Sequence, residues 1–193
     1  MRYRAGLPML TTGLLSLTLA AFALASEPAK TRNKALVKTH NKLVQTYVDV
    51  PHISPQTLSE MDAARYVIFD VREADEFAVS HLKNAIWIDP DMSPEAFYSQ
   101  YGELVSGKTV ILYCSVGVRS TRLASRLLSS QREGEQTPIY NLETGIFGWH
   151  NESRPLTAQS HPTDFVHPYN RRWGRMVNRK NLRRYDERGN PDE

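Results

Sequence analysis

"TVILYCSVGVRS", residues 109–120, contains the pattern from which the fold can best be predicted. Its first six residues form an apolar run of strand length that ends in Cys114, the one cysteine of the chain. From 119 to 131, apolar side chains recur at the spacing of an amphipathic helix. The stretch therefore predicts a buried strand that runs through a short loop directly into a helix.

The same alternation of strand and helix continues on both sides of this stretch. Further strand-like runs occupy 66–71, 85–88 and 138–142, and helical patterns occupy 73–82 and 93–102. Strands that are apolar on both faces and alternate with helices are typical of a mainly parallel sheet covered on both sides. We predict an α/β fold with helices on both faces of such a sheet.

The first 25 residues predict an export signal. Arg2 and Arg4 precede an apolar stretch from Leu7 to Ala25, and the Ala-Leu-Ala sequence at 23–25 fits a small-residue cleavage site. We predict that 1–25 is a signal peptide cleaved after Ala25 and that the protein is periplasmic or secreted. The alternative is an uncleaved membrane anchor, because the stretch approaches the roughly 20 residues of a spanning helix.

A single cysteine is unusual in an exported protein, because an oxidising compartment favours cysteine pairs. Cys114 is therefore either a reactive thiol or a small buried side chain. The loop after it favours reactivity: Gly117 lets backbone N–H groups converge, the following helix adds partial positive charge, and Arg119 supplies a cation. Such a loop stabilises a thiolate and suits an anion arriving at the sulfur.

Three blocks of sequence carry a family resemblance. "DVREADEFAVSHLKNAIWI" (70–88), "YCSVGVRS" (113–120) and "NLETGIFGWHNESRPL" (141–156) together resemble the signature blocks of the rhodanese-like sulfurtransferases. The resemblance covers 53–156 and implies a five-stranded, mainly parallel sheet flanked by helices. It also implies an enzyme that moves a sulfane sulfur from a donor such as thiosulfate to a thiophilic acceptor.

The resemblance also implies roles for individual residues. Cys114 is the cysteine that forms the persulfide. The substrate-binding residues are Ser115, Val116, Gly117, Val118, Arg119, Ser120 and Arg72. The Ser120 hydroxyl could also cap the helix, and Arg72 either holds an anionic donor or forms an ion pair with Asp70 that orders the loops. His81 matches a histidine of the family, and we expect a structural role for it because a thiolate needs no base.

Two other functions stay open. Related folds use a similar loop for phosphate-ester hydrolysis or arsenate reduction, but with a longer spacing than the four residues between Cys114 and Arg119. The sequence shows no obvious aspartic general acid near the loop for that chemistry, although Asp89 and Asp91 lie in a turn that the sequence does not place. A non-catalytic module that binds sulfur or a partner is the other alternative. No cofactor or metal is predicted, since the histidines lack ligand spacing; cyanide, a small thiol or a protein thiol is the expected acceptor.

Two segments lie outside the resemblance. We predict 26–52 as an N-terminal extension and 157–193 as a linker followed by a basic tail. From 167 to 185 there are seven lysines and arginines and no acidic residue. The favoured interpretation is a tail wrapped on the domain with Trp173 buried; contact with a protein or with an anionic membrane is the alternative, and nucleic acid is not expected. Tail arginines could also enlarge the anion site near Cys114.

Overall fold

A computed structural model describes residues 33–132 and 136–186 of the chain. The predicted signal peptide, 1–25, and the first part of the predicted extension lie outside these residues. Within them, no helix is long and apolar enough to cross a lipid bilayer.

The described residues form a parallel sheet of five strands, which confirms the predicted α/β class. The strands are β1 (His52–Ile53), β2 (Tyr66–Asp70), β3 (Ile86–Trp87), β4 (Thr109–Tyr113) and β5 (Ile139–Leu142). Their spatial order is β1-β5-β4-β2-β3, and all neighbours are parallel. The strand that leads to Cys114 therefore lies at the centre of the sheet, where both of its edges are hydrogen-bonded.

Seven α-helices surround this sheet in the described residues. They are α1 (Lys34–Thr46), α2 (Pro55–Glu60), α3 (Ala74–Val79), α4 (Pro94–Val105), α5 (Val118–Ser130), α6 (Gly145–Asn151) and α7 (Arg171–Gly174). Two begin with a serine N-cap followed by proline: Ser54 accepts a hydrogen bond from Thr57 N at 3.0 Å, and Ser93 accepts one from Ala96 N at 3.2 Å. The serine side chain accepts from a backbone N–H that has no acceptor within the helix. Proline suits the first position of a helix because it has no N–H that would need an acceptor there.

The core has two parts, one on each face of the sheet. On one face, Phe69 and Leu112 pack with Phe97 of α4 and with Leu123 and Leu127 of α5. On the other face, strand residues pack with side chains from α1, α2, α6 and the C-terminal segment, namely Ile68, Ile111, Leu142, Leu36, Leu58, Phe147, Val166 and Val177. Both faces of the central strands are buried, as their continuous apolar runs predict.

The segment predicted as a linker after 156 is instead ordered. It forms an antiparallel hairpin of β6 (Leu156–Ala158) and β7 (His161–Thr163). Thr157 also exchanges two backbone hydrogen bonds with His81, of 2.8 and 2.9 Å. These bonds fix the start of the C-terminal segment to the edge of the domain, so the prediction of a linker is wrong.

Candidate active site

Cys114 lies where the central strand β4 gives way to the loop that starts α5. Its side chain is 1% exposed, and the backbone N–H of Gly117 donates to its Sγ at 3.2 Å. Gly117 has φ of +94° and is the N-cap of α5, a conformation that favours glycine. A methyl group at this position would lie 3.4 Å from the side chain of Leu43 on α1. The N-terminal extension therefore packs against the loop that holds the thiol.

Helix α6 fixes the backbone of this loop from the other side. Ile146 N donates to the carbonyl of Cys114 at 2.9 Å, and Phe147 N donates to the carbonyl of Ser115 at 3.0 Å. These two N–H groups belong to the first turn of the helix, where they have no intrahelical acceptor. The loop and the helix start thus satisfy each other, with Gly145 allowing the close approach.

A buried carboxylate organises the side chains of the loop. Glu76 of α3 is 1% exposed, accepts from the Ser115 hydroxyl at 2.6 Å and pairs with Arg119 at 2.6 Å. Arg119 also donates to Ser115 Oγ at 3.0 Å and reaches Glu73 at 3.2 Å. Sequence reasoning missed Glu76. One sequence signal for Glu76 was available: it follows Glu73 by three residues in the block at 70–88, which is the spacing of a capping box. In the structure it accepts the backbone N–H of Glu73.

Arg119 is a permanent cation beside the thiol. Burial opposes its charge, but the charges of Cys114, Glu76 and Glu73 outweigh burial and raise the pKa of Arg119 above its ordinary value. Its side chain is 21% exposed, so part of the guanidinium reaches the surface. The predicted cation is in place, but two carboxylates compensate it, and the loop offers less net positive charge than the sequence suggests.

Asp70 and Arg72 form a fully buried ion pair. Arg72 donates to Asp70 from its backbone N at 3.1 Å, from Nε at 2.9 and 3.1 Å and from Nη2 at 2.6 Å, and Nη2 also donates to the carbonyl of Ser80 at 2.6 Å. The indole of Trp87 donates to the Arg72 carbonyl at 2.8 Å. Neither ionic side chain has any exposed surface. The structure thus contains the ion pair that the sequence analysis gave as the alternative to donor binding by Arg72, and the pair orders the loops around β2 and β3.

Comparison with known families agrees with this geometry. The family model described as "Rhodanese-like domain" matches residues 54–152. The chain belongs to the rhodanese-like family. The matched residues include the four strands β2 to β5 and both of the helices, α3 and α6, that hold the cysteine loop; β1 ends one residue before the match begins.

Individual relatives share only part of their length with this rhodanese-like chain. A tRNA uridine(34) hydroxylase of Chlamydia felis is 29% identical over 60% of this chain and 38% of its own length. An uncharacterized protein of Synechocystis sp. is 31% identical over 58% of this chain and 56% of its own length. The chain thus spans about two fifths to just over half of these relatives.

Solved structures show the same fold. The thiosulfate sulfurtransferase of Pseudomonas aeruginosa matches with a TM-score of 0.51 and 24% identity, over 64% of this chain and 23% of that protein. At this level of identity the likeness concerns the rhodanese-like fold alone.

Ser120 does not play the predicted role in this rhodanese-like site. It is fully buried, and its hydroxyl donates to Asn141 Oδ1 at 2.6 Å, so it neither caps α5 nor faces substrate. Asn141 Nδ2 lies 3.1 Å from Nδ1 of His52. Burial, and then the neighbouring His40, lower the pKa of His52 to about 4, so its neutral ring accepts this bond. These residues form a polar support under the start of α5.

His81 packs between α3 and the C-terminal hairpin, and the structural role expected for it stays a prediction. Its ring stacks on Phe77 with centroids 4.0 Å apart, and its Nδ1 lies 3.1 Å from the carbonyl of Phe77. Its backbone joins the hairpin through Thr157. No group of three or more His, Cys, Asp or Glu side chains in residues 33–132 and 136–186 is arranged to hold a metal ion.

We expect Glu76→Gln to lower the free energy of unfolding by about 1–3 kcal/mol, since it removes a buried negative charge and leaves one accepting oxygen where Ser115 and Arg119 now use two. Glu73→Gln removes the same charge from the exposed partner of Arg119, and its effect should stay below about 1 kcal/mol. Urea unfolding at neutral pH measures both. Equal losses in the two variants would show that burial does not strengthen the Glu76 pair.

Proposed function

We propose that this rhodanese-like domain is a sulfurtransferase that carries sulfur on Cys114. The single observation that carries the proposal is the setting of the thiol: its Sγ accepts the N–H of Gly117, and the charged Arg119, five positions further along the chain in the first turn of α5, interacts with it electrostatically. A backbone N–H and a cation stabilise negative charge on the sulfur in both the thiolate and the persulfide.

The reaction takes two steps. The Cys114 thiolate attacks the outer sulfur of thiosulfate, a new S–S bond forms, and the S–S bond of thiosulfate breaks, with sulfite leaving on the electron pair. The enzyme then carries a persulfide anion. A thiophilic acceptor such as cyanide attacks the terminal sulfur, leaves as thiocyanate and returns the thiolate. No proton has to move when cyanide is the acceptor, which agrees with the absence of a general base among the contacts of Sγ described here.

The acceptor comes from outside the chain. The sequence holds one cysteine, so no second thiol of the same molecule can resolve the persulfide. Cyanide, a small thiol or the thiol of a partner protein fits this requirement. The hydroxylation of tRNA belongs to relatives that are much longer than the shared segment, and we do not transfer it to this chain.

A second candidate is a cysteine phosphatase or arsenate reductase. The observation in its favour is that Asp91 lines the same surface groove as Arg119, so an acid stands near the loop. Against it, only four residues separate Cys114 from Arg119. A phosphoryl or arsenate group on the sulfur is larger than a single sulfur atom and needs a wider loop. A module that binds sulfur without turnover is the remaining alternative.

The test is the mass of the intact protein after incubation with thiosulfate. We expect a gain of one sulfur atom per chain, its removal by cyanide with release of thiocyanate, and no gain in Cys114→Ser. Turnover of a phosphate ester or of arsenate without a sulfur adduct would favour the second candidate. No reaction with any of these compounds would favour the binding module.

A further inference from the structure

The segment from 166 to 185, here called the C-terminal cover, lies beyond the 54–152 family match but belongs to the folded domain. Val166 and Val177 are fully buried in the core on one face of the sheet. Val166 N donates to the carbonyl of Leu182 at 2.9 Å, and Arg184 N donates to the carbonyl of Val166 at 3.1 Å. The two ends of the cover are therefore tied together, and its position relative to the sheet is fixed.

The cover contacts the cysteine loop through Tyr169. The guanidinium of Arg119 lies over the ring of Tyr169, with 5.0 Å between Cζ of Arg119 and the ring centroid, which is the geometry of a cation–π contact. The Tyr169 side chain is 44% exposed, so this contact forms at the surface of the domain. A large aromatic residue from outside the family match thus lies on the cation of the catalytic loop.

The backbone holds Tyr169 in this place. Its φ is +65°, a left-handed conformation that is rare for a bulky residue and is kept only where neighbours enforce it. Its N–H donates to Nδ1 of His167 at 3.0 Å, and the buried ring of His167 packs edge-on against Tyr185. The tyrosine ring is therefore presented by a built turn and not by a loose tail.

On the surface, the guanidinium that Tyr169 covers also lines an open groove of about 470 Å³. Arg122 and Arg126 of α5 and Tyr47 line it as well. The groove is open to solvent beside the loop, and Cys114, which does not line it, is 1% exposed. Since the Tyr169 ring and the Arg119 guanidinium meet at this surface, an acceptor that approaches the loop from their side meets the ring, and a bulky acceptor has less room there than a small one.

We propose that Tyr169 determines acceptor specificity by size: it admits small thiophiles, such as cyanide and low-molecular-weight thiols, and excludes protein thiols from the Cys114 persulfide. The proposal rests on the proposed function. In this proposal the selectivity comes from steric repulsion of large acceptors, and it does not depend on an attractive contact between the ring and a small acceptor. The size selection does not depend on the tail arginines, which the sequence analysis suggested as part of the anion site. The residue of the C-terminal cover that contacts Arg119 is Tyr169.

The experiment loads the persulfide with thiosulfate and follows its discharge in a single turnover to cyanide, reduced glutathione or reduced thioredoxin. Tyr169→Gly removes the ring and relaxes the left-handed backbone, and Tyr169→Phe keeps the ring. We expect Tyr169→Gly to speed discharge to thioredoxin by at least about tenfold and to change discharge to cyanide by less than about twofold. Tyr169→Phe should behave like the natural protein toward all three acceptors.

Equal changes for cyanide and thioredoxin would overturn the proposal, as would an unchanged thioredoxin rate in Tyr169→Gly. A parallel measurement needs no sulfur transfer: the alkylation rates of Cys114 by iodoacetamide and by a large dye-linked maleimide. Tyr169→Gly should raise the maleimide rate relative to the iodoacetamide rate, and an unchanged ratio would contradict the proposal. If no persulfide forms but the ratio rises, the proposed function fails and the size selection stands.

Discussion

Arg72→Ala is expected to lower the free energy of unfolding by about 3–5 kcal/mol, because it leaves the Asp70 carboxylate buried without its cationic partner. Both side chains have no exposed surface, and Arg72 also satisfies the carbonyl of Ser80. Urea unfolding, followed by circular dichroism, measures the loss. Arg122→Ala is the matched control, since Arg122 is exposed; its effect should stay within about 0.5 kcal/mol.

A double variant separates the charge from the packing. Asp70→Leu together with Arg72→Met removes both charges and keeps apolar volume, so it should recover much of the stability that Arg72→Ala loses. A loss below about 1 kcal/mol in Arg72→Ala would contradict the assignment of a buried, mutually dependent pair.

Gly145→Ala is expected to displace the loop that carries the nucleophile. A Cβ atom at Gly145 would lie 2.3 Å from the carbonyl oxygen of Cys114 and 2.8 Å from the carbonyl carbon of Ser115. Both are backbone atoms, which cannot rotate away as a side chain could. The variant should therefore lose the bonds from Ile146 N and Phe147 N, lower the free energy of unfolding by about 2–4 kcal/mol, and slow sulfur loading from thiosulfate by at least about tenfold.

Gly107→Ala is the matched control for this prediction. Gly107 has φ of +69°, close to the +58° of Gly145, but a Cβ there would meet no atom within 4 Å. It should therefore show only the cost of a left-handed alanine, about 1 kcal/mol, and load sulfur at the natural rate. If both variants lose the same stability and load equally fast, the close approach of α6 to the loop is not what requires glycine at 145.

The sequence could predict the features that depend on neighbouring residues. The run from 109 to 120 contains the strand, the loop and the helix start in order, and the structure places Cys114 at the end of the central strand as predicted. The helix caps at Ser54 and Ser93 were equally local. Because each of these features is set within a few residues, no knowledge of the tertiary structure is needed.

The features that the sequence did not reveal depend on distant contacts. Glu76 reaches Ser115 across 39 positions, and its importance comes from burial that only the packed structure fixes. The Asp70–Arg72 pair is visible in the sequence, but the contacts of Arg72 with Ser80 and Trp87 that bury it are not, so the sequence left open whether Arg72 forms an ion pair or binds an anionic donor. The backbone pairing of Thr157 with His81, 76 positions earlier, is likewise a distant contact, and the sequence around 157 alone suggested a linker and not a hairpin.

The burial of Val166 and Val177 has a consequence for the order in which the chain is made. Synthesis proceeds from the N-terminus, so all five strands have been translated before either valine leaves the ribosome. Until then, the core cluster to which these valines belong, which includes Ile146 and Trp149 of α6, lacks them and exposes part of its apolar surface. Exposed surface of this kind is what makes incomplete chains aggregate and attracts chaperones. Newborn chains that stop short of 177 should therefore be the aggregation-prone species, even though their family module is complete.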